Sequence, residues 1–208
     1  MLDRQREKQA QRRKIFRDKY SLAKGKAKVF FDFGQGRIYY NEKEVTSGFG
    51  LYTSIFTDGS WHDSQNVLWA IEKINDSFFI AEGKSTDLPL SQIWQITLVD
   101  DRTIDWDVSL RVYEYIKLEQ LQASLILHQA YKNIDSPYLE GVSEDKSLPF
   151  SIRFMLKDSS MCNKKEVSRA SFLDSQAFTF RYYADMDNYF KPAEYDNYLK
   201  ARIEIDGK

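Results

Sequence analysis

The chain has 208 residues, with 30 Lys+Arg against 31 Asp+Glu and a formal net charge of -1. That total sums two unlike parts: residues 1–28 hold 11 Lys/Arg and 3 Asp/Glu, net +8, whereas the remainder holds 19 and 28, net -9. A hydrophobic content of 42% with 15% aromatics excludes an intrinsically disordered chain, and 9 Gly and 4 Pro exclude collagen-like or linker-type sequence.

Residues 3–20 are rich in Ala, Gln, Glu, Lys and Arg, which predicts an α-helix with a thin apolar stripe of Ala10, Ile15, Phe16 and Tyr20. We expect residues 1–26 to form a basic helical lead-in or linker and residues 27–208 to form a single β-sandwich domain. The basic run has no interleaved aromatic stacking platform, so nucleic acid is a disfavoured partner; a neighbouring domain or protein partner is the alternative use of the segment.

From Ala27 onward the pattern changes to short β-branched and aromatic runs with period-two alternation. Lys28–Phe33 and Arg37–Tyr40 read as strands around the turn Gly34-Gln35-Gly36. Gly50–Phe56 and Ser60–Ile71 read as strands around Thr57-Asp58-Gly59, in which Asp-Gly is a strong hairpin signal. Phe78–Glu82 and Ile93–Val99 follow. The clearest segment is 104–112: Ile104, Trp106, Val108, Leu110 and Val112 alternate with Asp105, Asp107, Ser109 and Arg111, as a half-buried strand requires. Residues 118–129 alternate through Leu121, Ala123, Leu125 and Leu127 and also read as a strand. Residues 132–147 read as a polar loop, and Phe150–Leu156, Phe178–Tyr182 and Leu199–Ile205 alternate again. The expected architecture is all-β: a large antiparallel β-sandwich preceded by a basic α-helix, with a closed lipocalin-like barrel as the alternative.

Familiar catalytic motifs are absent. No phosphate-cradling G-x-x-x-x-G-K loop, H-E-x-x-H, C-x-x-C or G-x-S-x-G occurs, and the two histidines, His62 and His128, rule out a three-histidine metal site. Cys162 is the single cysteine, in a polar stretch without a second thiol or a His beside it. We therefore expect no metal and no cofactor. No apolar run follows the N-terminal charges and no segment has the ~18 uncharged apolar residues that span a bilayer, so the expectation is a cytoplasmic protein without a membrane partner.

Three clusters could carry function. Ser60-Trp61-His62-Asp63-Ser64-Gln65 combines an aromatic face, an imidazole, a carboxylate and an amide. An aromatic ring can pack on the apolar face of a sugar while polar groups meet its hydroxyls; the plain alternative is a core-edge Trp and a capped hairpin. The second cluster lies on the wet face of 104–112. A tight turn at Ile116-Lys117 would pair this strand with 118–129 and set Asp105 opposite His128 and Asp107 opposite Ile126. A carboxylate there would raise the His128 pKa and orient the ring for acid/base work; the plain alternative is a solvent-exposed ion pair. The third is the tyrosine-rich stretch Arg181–Tyr183 and Tyr189–Tyr195, a groove wall or simply a packed loop.

The runs Phe79-Ile80-Ala81-Glu82-Gly83, Leu88–Leu98 and Thr103–Leu110 resemble the central strands of galactose mutarotase-like β-supersandwich domains in strand order and texture. That resemblance implies a carbohydrate-associated domain of the kind found in aldose epimerases, in polysaccharide lyases and as accessory domains of glycoside hydrolases. The epimerase-type catalytic pair is not found at recognisable spacing. The expectation is therefore a non-catalytic carbohydrate-binding module, with Trp61, His62, Asp63, Gln65, Trp94, Asp105, Asp107 and His128 as ligand contacts. The alternatives are an epimerase- or lyase-type enzyme using His128, Asp105 and His62 in acid/base roles, and a protein-interaction domain.

Overall fold

A computed structural model describes residues 20–134, 138–158, 164–172, 175–183 and 196–207. The helix expected over 3–20 falls outside these residues apart from Tyr20, which lies in a turn. Cys162 and the stretch 184–195 also lie outside.

Among the described residues the chain is all-β apart from one 3-10 turn at Ser64–Asn66. In chain order the strands are β1 (Ser21–Lys24), β2 (Ala27–Phe31), β3 (Gly36–Tyr40), β4 (Lys43–Glu44), β5 (Thr46–Thr57), β6 (Ser60–Asp63), β7 (Val67–Asn75), β8 (Phe78–Ser85) and β9 (Leu90–Leu98). They continue as β10 (Thr103–Val112), β11 (Gln120–His128), β12 (Tyr131–Ile134), β13 (Leu139–Ser143), β14 (Ser151–Asp158), β15 (Lys164–Phe172), β16 (Ser175–Tyr183) and β17 (Asp196–Asp206). They form two antiparallel sheets. One runs β1-β2-β3-β5-β11-β16-β15, with β4 on β3 and β6 on β5; the other runs β12-β13-β14-β17-β10-β9-β8-β7. These two separate sheets replace the single closed sheet that a barrel would need.

Alternation decides which side chains enter the space between the sheets. Ile104, Trp106, Val108 and Leu110 of β10 are buried, as are Leu121, Ala123, Leu125 and Leu127 of β11. A continuous set of aromatic rings fills the centre. Phe31 meets Trp69, Phe79 and Trp94 edge-on at 5.2, 5.5 and 5.6 Å, and Trp94 meets Trp106 at 5.0 Å. Edge-to-face rings at these distances add to the area they bury. Gln92, buried on β9, accepts from Trp94 Nε1 at 3.1 Å and from Thr53 Oγ1 of the opposite sheet at 2.7 Å, so a buried amide also ties the two layers together.

Two sequence expectations about partners and loops are corrected. Strand β10 does not pair with β11: it lies between β9 and β17, while β11 lies between β5 and β16 in the other sheet. Residues 113–119 cross between the sheets instead of turning tightly. Ile116 and Leu118 are buried on the way, Lys117 O accepts from Thr57 Oγ1 at 2.5 Å, and Glu119 N donates to Phe56 O. The matched apolar faces of β10 and β11 both line the one core, from different sheets. The polar segment 132–147 is also not all loop, because β12 and β13 pair there, with Tyr131 and Leu139 buried. Both strands are too short for alternation to register. The body starts earlier than the change of texture at Ala27, since β1 already pairs Ser21–Lys24 with β2.

Candidate functional site

The Ser60–Gln65 cluster sits on the β5–β6 hairpin. Its turn is the expected Asp58-Gly59, with φ of 49° and 73°, the pair of left-handed conformations that a two-residue hairpin of this type needs. The register Thr57↔Ser60 places Phe56 beside Trp61 and Ser54 beside Asp63 on the face turned away from the core. The Trp61 ring lies 5.0 Å from that of Phe56, tilted by 46°, and is 46% exposed. Ser54 Oγ donates to Asp63 Oδ1 at 2.5 Å, which fixes the carboxylate beside the ring pair. Across β11 the same register sets Gln120 next to Phe56 and Gln122 next to Ser54, and toward the start of β5 Phe49 meets Tyr52 edge-on at 5.4 Å. The arrangement offers an apolar plate flanked by fixed acceptors and amides.

The turn that follows is held rigidly. Buried Ser64 donates its hydroxyl to Gly34 O at 2.6 Å, accepts Thr53 N at 3.2 Å and takes Trp69 Nε1 on its carbonyl at 2.7 Å. His62 belongs to the opposite side of β6 from Trp61, with Nδ1 3.9 Å from Asp87 Oδ2. Gln65 follows at the 3-10 turn, its Nε2 buried without a hydrogen-bond partner among the described residues.

The remaining expected site residues lie elsewhere. Trp94 is 0% exposed, enclosed by Phe31, Trp69 and Trp106, and offers no surface to a ligand. Asp105 is on the outer face of the second sheet, where Arg202 of β17 grips it twice, Nε to Oδ1 at 2.7 Å and Nη2 to Oδ2 at 3.0 Å. That hydrogen bond chiefly holds the Arg202 pKa above its ordinary value, opposed by burial and helped to a lesser degree by the negative charges of Asp105 and Glu204. Asp107 stands on the same face, at register with Gln95 and Lys200. His128 is in the first sheet, its backbone N–H donating to Val45 O and its Nδ1 accepting from Ala130 N at 3.2 Å. The expected Asp105–His128 pair is therefore not formed: the partner strand was assigned from matched faces, and such matching does not distinguish a neighbour in the sheet from a strand across the core. Among the described residues no group of three or more His, Cys, Asp or Glu could hold a metal ion.

The structure thus brings Trp61 and Asp63 together on one face, leaves His62 on the other side of β6 and Gln65 on the turn that follows, and separates Trp94, Asp105, Asp107 and His128 from that cluster. Sequence reasoning missed Phe56 and Ser54, although counting outward from the Asp58-Gly59 turn pairs them with Trp61 and Asp63. It also missed Arg202, whose signal was the alternation of Lys200, Arg202 and Glu204 opposite the apolar face of β17.

No protein-family model matches the sequence, and no curated protein matches it. Solved structures do share its fold. The heparan sulfate lyase HepC from Pedobacter heparinus superposes with a TM-score of 0.54 at 9% identity, over 88% of this chain and 33% of the lyase. A bacterial glucoamylase complexed with acarbose gives 0.55 at 8% identity, over 90% of this chain and 32% of the enzyme. Heparinase III gives 0.51 at 11% identity, over 84% and 30%. The chain spans about a third of each of these proteins, and what it shares with them is a β-rich, two-sheet fold.

Proposed function

We propose that this chain is a carbohydrate-binding β-sandwich of the galactose mutarotase-like type, acting as a non-catalytic accessory domain of a polysaccharide-processing protein. The observation that carries the reading is the half-exposed Trp61 ring backed by Phe56 beside an Asp63 carboxylate anchored by Ser54. A ring held from behind keeps its free face available at little entropic cost, and the adjacent carboxylate accepts from sugar hydroxyls. The fold shared with proteins named as heparan sulfate lyase, heparinase and glucoamylase supports the same ligand class. The non-catalytic part rests on the histidines: His128 lacks the Asp105 partner, and His62 stands 3.9 Å from Asp87, beyond hydrogen-bond reach. In this reading the basic segment ahead of β1 attaches the domain to its neighbour.

The test is a titration of the full chain with a broad panel of oligosaccharides, followed by tryptophan fluorescence. A ligand should shift the emission of the exposed Trp61, and Trp61→Ala should weaken binding about tenfold, the loss of one stacking contact of roughly 1.5 kcal/mol. Silence of the wild-type chain across the panel would overturn the proposal.

A further inference from the structure

The face of the first sheet that carries Trp61 holds a second exposed ring. Near the start of β5 the pairing with β11 goes from Leu125↔Leu51 to Leu127↔Thr46, so residues 47–50 of β5 stand against Ile126 alone. Two glycines in the left-handed region build this bulge, Gly48 at φ 53° and Gly50 at φ 64°. A Cβ on Gly48 would touch Ile126, which alternation turns away from the core, so the bulge lies on the outer face. A Cβ on Gly50 would come within 2.2 Å of Gly36 O, and only glycine fits there. A bulge interrupts the ladder and re-aims a side chain. Here the re-aimed side chain is Phe49, between the two glycines, and it is left 42% exposed. The interruption gains no core burial for that ring.

The two ends of β5 repeat one arrangement. At one end the exposed Trp61 lies against the half-buried Phe56; at the other the exposed Phe49 lies edge-on against the half-buried Tyr52. Tyr52 and Phe56 are four residues apart, which puts them on the same face with about 13 Å between them. The ground between is low and polar. Ser54 and Ser124 are buried there, and Ser124 shares a hydrogen bond of 2.9 Å with Thr179. Asp63 and Gln122 flank Ser54 in the register of the three strands. Ser54 takes one acceptor position of the Asp63 carboxylate, which has about four.

A protein partner is met by a continuous apolar centre with a polar rim. Two separate plates with hydrogen-bonding ground between them instead match a chain of sugars, whose rings offer apolar faces and whose hydroxyls need acceptors. One sugar ring cannot reach both plates, whereas about three in a row span that stretch of strand. We propose that this face takes a linear oligosaccharide laid along β5, with one ring on Trp61, another on Phe49 and the rings between them over Asp63 and Gln122. The inference rests on the carbohydrate reading of Trp61 and adds the length of the ligand: Phe49 makes the face select a chain over a short fragment, because the second plate is engaged only by a ligand that spans the gap.

The full chain is titrated with neutral glucans from mono- to hexasaccharide and with uronate-containing oligosaccharides from di- to hexasaccharide, followed by calorimetry and by Trp61 emission. Affinity should rise about tenfold between the disaccharide and the tetrasaccharide of the series that binds, then level off. Phe49→Ala should remove that rise and leave the disaccharide response at its wild-type value, which also shows that the variant is folded. Trp61→Ala should weaken binding at every length. A wild-type affinity independent of length, or a hexasaccharide bound by Phe49→Ala as tightly as by the parent, would overturn the inference. A Phe49→Ala variant that loses self-association while keeping its hexasaccharide affinity would overturn it in favour of a contact between copies. If length dependence is missing while Trp61→Ala still weakens binding, only this inference falls. If Trp61→Ala binds as the parent does, or the parent is silent in both series, the Trp61 reading falls and takes this inference with it.

Discussion

Trp61 and Trp94 show how little a residue type says without its address. Both are followed by polar residues in strand-like sequence, yet one is 46% exposed on an outer face and the other 0% exposed in the aromatic core. Tyr131 makes the same point for a polar group. It is 0% exposed, and its hydroxyl has no hydrogen-bond partner among the described residues. Burial, and after it the negative charge of Asp145, pushes its pKa well above the ordinary phenol value. A group whose folded pKa is raised contributes stability that is fully present below its unfolded value, about 10, and lost as pH rises toward the folded one. Tyr131→Phe removes both the orphaned hydroxyl and its titration. It should stabilise the fold by about 1 kcal/mol at neutral pH, and its melting temperature should fall less than that of the parent between pH 9 and pH 11. A destabilised variant with an unchanged alkaline slope would mean that the hydroxyl has a partner.

At the scale of elements, β10 is held by different forces on its two faces. Its inward side chains fill the core, while its outward face is wired to β17 by the Asp105–Arg202 pair; beyond β17, Arg153 of β14 joins Glu140 of β13 at 3.1 Å and Glu204 of β17 at 3.8 Å. These pairs are partly open to solvent, so screening keeps their worth modest. A double-mutant cycle of Asp105→Asn and Arg202→Met should give a coupling of about 0.5–1 kcal/mol in chemical denaturation, shrinking in 1 M salt. A coupling of several kcal/mol would show the pair to be effectively desolvated. The same strand shows where the sequence was readable. Its period-two pattern names the buried face of every residue from Ile104 to Val112, and the Asp58-Gly59 turn sets the local register of β5 and β6, because both depend on short-range chemistry. One partner of β10, β9, follows from the short turn at 99–102, but the other, β17, is reached by a chain connection dozens of residues long. The one local signal in residues 104–129 against a hairpin is that Ile116-Lys117 lacks the Gly or Asn of a two-residue turn, while Ile116 and Leu118 supply the apolar anchors of a crossover. The shared face of Trp61 and Asp63 was therefore legible, and the placement of Asp105 and His128 in different sheets was not.

The topology of the whole molecule makes its last strand indispensable. In the second sheet β17 lies between β14 and β10, so the strands before it form two separate groups, β12-β13-β14 and β10-β9-β8-β7, until residues 196–206 are inserted. Its Leu199, Ala201, Ile203 and Ile205 are all buried, and its removal would uncover Trp106 and Phe154 and leave two strand edges unpaired in the middle of the sheet. Such edges within an apolar layer favour aggregation over folding. Pairings this distant in sequence also make the fold slow and dependent on a complete chain. Deleting residues 196–208 should therefore abolish cooperative thermal unfolding and near-ultraviolet circular dichroism. Adding the deleted segment back as a peptide should restore part of the signal, since the gap it fills has a defined register on both sides. A truncated chain that still melts in one cooperative transition would show that the two strand groups can close on each other without β17, and the order of strands in this sheet would have to be redrawn.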